Sequence, residues 1–119
     1  MAWLSSSTVN AIDRITGTGP WYLVDGTLAF ASKAALTSPP QVAIDLDEHG
    51  AQPPGPENVW TGTHADGTVS AGFTCSDWTS NAGNASALTG LRVATDTTWS
   101  EQYNLLCSNT LPRLYCFEQ

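Results

Sequence analysis

Basic residues are almost missing from this sequence: Lys and Arg together number four in 119 residues, against eleven Asp and Glu, for a formal net charge of −7. Without a basic stripe to neutralise phosphates, nucleic acid, heparin-like polyanions and anionic membrane surfaces are disfavoured as partners. Charged residues of both signs make up only 13% of the chain, well under the roughly 25% of an ordinary globular protein. Long apolar runs are missing too. No stretch approaches the roughly 20 residues a membrane helix needs. Met1 to Asn10 has neither the basic start nor the apolar centre of a signal peptide, so any export signal is expected to have been removed or to lie outside these residues. There is no C-x-x-C, and two His with three scattered Cys lack the paired spacing of a structural zinc site. No Ser or Cys stands in a nucleophile-elbow context, so the expectation is a non-enzymatic protein without a cofactor.

What is present suits short strands joined by long ordered loops. Five Trp sit among many Thr, Ser, Gly and Asn, in a chain of one domain's length spanning residues 1–119. Three Cys in such a composition indicate an oxidising compartment, hence a secreted or cell-surface protein, and leave one Cys without a partner inside the chain.

The chain is organised around Val59 to Trp78. Two β-rich runs, Val59–His64 and Thr68–Cys75, flank Asp66-Gly67, a dipeptide that favours a tight hairpin turn because Gly accepts φ > 0 without strain. Before it, Ala2-Trp3-Leu4 reads as a short buried strand and Asn10–Ile15 as a helix of two turns at most, ended by Gly17-Thr18-Gly19-Pro20. Trp21–Val24 and Thr27–Phe30 read as strands around Asp25-Gly26, and Ser32 as the cap of a helical turn through Leu36. Val42, Ile44 and Leu46 alternate as in a half-buried strand, and Asp47–Asn58 is a Pro- and Gly-rich loop. After the hairpin, Thr79–Thr89 is small and polar and reads as an Ω-type surface loop. Gly90–Val93, Tyr103–Cys107 and Arg113–Phe117 read as strands, the last with Leu114 and Cys116 on one face and Tyr115 and Phe117 on the other.

These landmarks, in order, are A-W-L-S-S (Ala2–Ser6), V-W-T-G-T-x-x-D-G (Val59–Gly67), C-S-D-W (Cys75–Trp78), L-T-G (Leu88–Gly90), Cys107 and R-L-Y-C-F-E (Arg113–Glu118). They resemble the endostatin module of non-fibrillar collagens. They resemble still more a group of secreted, largely uncharacterised bacterial proteins on the same C-type-lectin-like scaffold. The resemblance covers nearly the whole chain and implies an α+β fold of short antiparallel strands, long loops and short helices. It also implies a disulfide between Cys75 and Cys107, and for Cys116 a partner on a first helix that would precede A-x-L-S-S. Because Ala2 already belongs to that motif, the usual first strand and helix are expected to be absent here. The last strand would then be covered by that missing segment or by a second chain. Since the scaffold hosts many functions, the site must decide.

Several candidate residues compete with simpler roles. Asp45, Asp47 and Glu48 open like a calcium loop, but Pro56 stands where the closing Glu belongs, so a solvated strand end is the expectation. Calcium-dependent sugar binding lacks its carboxylates: Pro56-Glu57-Asn58 is misordered, and no acid lies between Trp78 and Asp96. His64 and Asp66 read as turn residues in water rather than a catalytic pair. Trp60 and Trp78 read as core; Trp21 and Trp99, beside loops, are the candidates for a ligand-stacking surface. Arg92 and Arg113 read as members of local ion pairs, and Asn84-Ala85-Ser86 matches a glycosylation sequon. The leading expectation is an extracellular binding or adhesion module for a protein or glycan ligand. The alternative is a structural segment of a larger surface protein.

Overall fold

Forty of the 51 backbone hydrogen bonds lie outside regular helices and strands, so turns and loops carry most of the fold. The computed structural model describes residues 1–119 as an α+β domain with two small antiparallel sheets and few short helices. In the first sheet, β1 (Trp21–Tyr22) pairs with β2 (Leu28–Phe30) across the Asp25-Gly26 turn, as the sequence predicts. Gly26 supplies φ 87° there, and Asp25 Oδ1 accepts the Thr27 N–H at 2.9 Å. The second sheet runs β3 (Asn58–Trp60), β4 (Ser86–Leu91), β5 (Asn104–Leu106), with Val59 opposite Gly90 and Ala87 opposite Leu105.

β4 corrects the sequence reading of Thr79–Thr89 as a surface loop: the loop ends at Ala85, and Ala87, Leu88, Thr89 and Gly90 are buried. Small side chains made this strand look like a loop, yet they are what lets its backbone approach its neighbours. A Cβ on Gly90 would lie 1.9 Å from the Trp99 carbonyl oxygen. Val42–Leu46 forms no strand, since none of its backbone groups bonds another segment, although Val42 and Ile44 still pack against the core. The central hairpin forms only at its tip, where Thr63 bridges Val69 and the His64 N–H reaches Thr68 O at 2.8 Å. Its second arm breaks at a turn closed by Phe73 N–H to Ser70 O.

The expected helix is a single turn, α1 (Ala11–Arg14), held from outside by the Ser5 hydroxyl, which accepts the Ala11 N–H at 2.8 Å. Cys75–Trp78 is a different object. All four residues have positive φ, between 51° and 66°, and the turn closes through Thr79 N–H to Cys75 O. It is a left-handed helical turn without glycine, a conformation costing roughly 1–2 kcal/mol per residue. Its compensation comes from several directions. Thr74 Oγ1 accepts the Asp77 N–H, the Asp77 carboxylate accepts from Ser7 N and Oγ at 2.7 and 2.6 Å, and Trp78 Nε1 donates to Ser5 O at 2.7 Å. Cys75 is joined to Cys107 by a disulfide, as the resemblance implied.

The main core is aromatic. Trp99 lies at its centre with ring centroids 5.1 Å from Trp3, 5.2 Å from Phe30 and 5.5 Å from Tyr115. Phe117 extends the cluster to Trp21. Trp60 and Trp78, expected in the core, are half-buried and meet edge to face in a smaller cluster around the disulfide. Trp99 Nε1 finds no partner in the core, at a cost of about 1–3 kcal/mol.

Two predictions follow from this packing. Gly90→Ala should lower unfolding free energy by about 3 kcal/mol or more, read as a shifted urea midpoint. Asp77 has its pKa lowered, first by the Ser7 hydroxyl and then by the Ser7 N–H. Its stabilisation is therefore complete above the unfolded value of 3.8 and is lost as pH falls through the lower folded value. Urea midpoints should hold steady above about pH 5 and drop below about pH 4, with a smaller drop in Asp77→Asn.

Candidate functional site

The C-terminal segment Arg113–Phe117 crosses the molecule as a spliced strand. Arg113 pairs in parallel with Val59, and Cys116 pairs antiparallel with Ala2. Alternation then sorts its side chains as the sequence predicts. Tyr115 and Phe117 are buried, whereas Leu114 is 50% exposed and Cys116 is exposed.

Beside this segment lies a groove of about 610 Å³. Pro20–Val24, including β1, line it together with Ile44, Leu46, Asp47, Glu48 and Pro53, and with Val59 and Arg92. Tyr22, on β1, is 59% and Val24, in the turn after it, 61% exposed. The volume and the mostly apolar lining match the usual character of a ligand site.

The groove's polar groups are few. Arg92 is only 9% exposed, its Nη2 donates to Pro53 O at 3.0 Å, and its Nε has no partner. Arg113 Nη2 donates to Pro54 O at 2.9 Å. The sequence reading of both as local ion pairs is therefore corrected: neither guanidinium lies within salt-bridge distance of a carboxylate, and the close acid–base contacts in the molecule are those of His49 with Glu48 and His64 with Glu101. The proline-rich loop displaces carboxylates here and offers carbonyl oxygens instead. Tyr115 donates its hydroxyl to Trp99 O at 2.8 Å, and burial pushes that hydroxyl's pKa well above the ordinary phenol value. Asp47 is held below the usual carboxylate range, chiefly by the Ala51 N–H.

Of the two tryptophans proposed as an exposed stacking surface, Trp21 is corrected in its exposure: it borders the groove but is buried at 8%, packed edge-on against Phe117 and donating Nε1 to Glu118 O. Trp99 is corrected: at 0% exposure its ring is enclosed by Trp3, Phe30 and Tyr115 and offers no surface. Asp45, Asp47 and Glu48 do not converge. Asp45 accepts from Gln52 and Asp47 from His49 N and Ala51 N, while Glu48 faces His49 at 3.6 Å. No three His, Cys, Asp or Glu side chains lie together as a metal cluster. His64 Nδ1 and Glu101 Oε1 lie 3.0 Å apart, and Glu101 Oε2 accepts the Ala65 N–H. The Ala65 bond, ahead of His64, lowers the Glu101 pKa. Asp66 turns instead to Thr68. Glu101, which sequence reasoning missed, thus pins the hairpin tip to the loop before β5.

No helix is long and apolar enough to cross a membrane. Comparison with protein-family models and with curated proteins finds no match, so the groove's own chemistry must carry any functional reading. Its accessibility can be checked through Cys116. In the folded protein a maleimide should modify Cys116 alone, and mass spectrometry without reduction should recover Cys75 linked to Cys107.

Proposed function

We propose that this chain is a non-enzymatic extracellular binding or adhesion module on an endostatin-like, C-type-lectin-like scaffold, and that the groove beside Arg113–Phe117 receives its protein or glycan ligand. The observation that carries the reading is the groove itself: an apolar concavity whose exposed rim residues, Tyr22, Val24 and Leu114, have no cover in the folded chain. Apolar surface concentrated in one concavity marks a recognition site more often than scattered exposure does. The scaffold assignment draws support from the convergence of the landmark motifs: Trp78 of C-S-D-W bonds to Ser5 of A-W-L-S-S, and Cys75 to Cys107. A disulfide of this kind suits an oxidising compartment. The polar residues near His64 are occupied in holding loops together, which supports a binding role over catalysis.

A second reading has its own support. The exposed side chains of Leu114 and Cys116 on the last strand suit a structural segment of a larger surface protein, in which a further segment or a second chain covers this face.

Arrays of immobilised glycans and extracellular-matrix proteins separate the two. Wild-type protein should bind at least one class of spot, and Val24→Asp/Leu114→Asp, altered only at exposed side chains, should bind at least about ten-fold more weakly. Binding that survives the double substitution would move recognition away from the groove. Silence on every spot would leave the structural reading in place.

A further inference from the structure

The free edge of the last strand narrows what the groove can accept. Arg113 N–H bonds Asn58 O at 3.2 Å and Arg113 O takes the Trp60 N–H at 2.9 Å; Tyr115 O takes the Trp3 N–H, and Phe117 exchanges bonds with Met1. All these bonds leave from odd-numbered residues and therefore from one edge. On the opposite edge, the N–H and C=O of Leu114 and Cys116 have no protein partner. An unpaired edge is a template for another strand, and a peptide supplies the alternating donors and acceptors that match it.

Charge narrows it further. In a chain with eleven acidic residues and four basic ones, Arg92 lines the groove, is buried and stands in no ion pair, and its Nε is enclosed without a partner. A buried cation is costly until a carboxylate meets it. Arg113, which is exposed, also borders the groove and stands in no ion pair; of the acids lining the groove, Asp47, Glu48 and Glu118, Asp47 is near enough to be influenced by its charge. A second copy of this chain would carry the same net charge of −7, which opposes self-association.

Resting on the reading of the groove as the recognition face, we infer that it accepts an extended peptide segment as an added strand. The segment pairs its backbone with Leu114 and Cys116, lays alternate apolar side chains against Tyr22, Val24 and Leu114, and brings one carboxylate to Arg92. Backbone bonds supply affinity in this mode of recognition, and the alternating side chains supply selectivity.

A displayed library of random eight-residue peptides, panned on the folded wild-type protein, tests this. Enriched sequences should share one Asp or Glu with apolar residues two positions away on either side. The most enriched peptide is then synthesised with that acid as its amide, and with N-methyl groups in each of the two alternating backbone registers. By calorimetry the amide version should bind at least about ten-fold more weakly. Methylation in one register should abolish binding and in the other leave it. Arg92→Met should erase the preference for the acid over the amide; should that variant not fold, Leu114→Asp, on an exposed side chain, should weaken the acidic peptide by a similar factor. No enrichment, enrichment without an acid, or equal tolerance of methylation in both registers would overturn the inference. So would a dimer in sedimentation that Leu114→Asp dissolves, since a second copy would then fill the groove. Glycan or matrix binding abolished by Leu114→Asp, with no peptide enriched, would overturn the strand-accepting site while keeping the groove as the recognition face.

Discussion

Four buried hydroxyls hold this molecule together. Ser5, Thr61, Thr63 and Ser100 are each 0% exposed, and each is bonded. Ser5 Oγ and Thr63 Oγ1 lie 2.9 Å apart, Thr63 donates to Thr61 O, Ser100 donates to Thr63 O, and Thr61 donates to Ser100 O. Trp3 Nε1 adds its hydrogen bond to Ser100 Oγ. Three distant parts of the chain meet here: the first strand segment, the approach to the hairpin tip, and the turn before β5. A buried hydroxyl robbed of its partner costs about 1–3 kcal/mol, so these contacts stand or fall together. They also explain why A-W-L-S-S and V-W-T-G-T carry small hydroxyl residues where aliphatic ones would serve a plain apolar core.

From that hub the molecule divides into a locked half and an open half. The locked half contains the left-handed Cys75–Trp78 turn, whose conformational cost is met by Thr74, Ser5, Ser7 and the disulfide. The open half contains β1 and the outer face of the last strand. The aromatic cluster links the two, since Trp3 touches Trp99 on one side and Phe117 on the other. Rigidity behind a groove keeps its walls in place and lowers the ordering cost of whatever enters it.

Much of this was legible because local chemistry and tertiary context agree. Asp25-Gly26, the Gly17–Pro20 stop and the alternation of Leu114 to Phe117 each obey a short-range rule, and each forms as read. The failures have a common origin in neighbours that a sequence does not display. Val42–Leu46 alternates like a strand, but its backbone bonds no other segment. Ser86–Thr89 looks like loop, yet β3 and β5 enclose it. The left-handed turn has no glycine to announce it. The groove was harder still: the exposed apolar face of Leu114 was readable, but the isolation of Arg92 depends on a proline loop turning its carbonyls inward. Trp99 beside a loop suggested a surface ring, whereas its 3₁₀ turn, capped by Asp96, drives it into the core.

The pairing of Met1 with Phe117 sets how this domain bears load. Residues 1–3 and 115–117 lie side by side on antiparallel segments, so a force that draws these two segments apart from the Met1–Phe117 end meets that pair of bonds first and the Trp3–Tyr115 bond next. Such an unzipping geometry yields at lower force than one in which bonds are sheared together. Extension is then capped, because the Cys75–Cys107 bridge withholds a 32-residue span, about 110 Å of contour. Under tension this domain is a soft clasp with a hard stop.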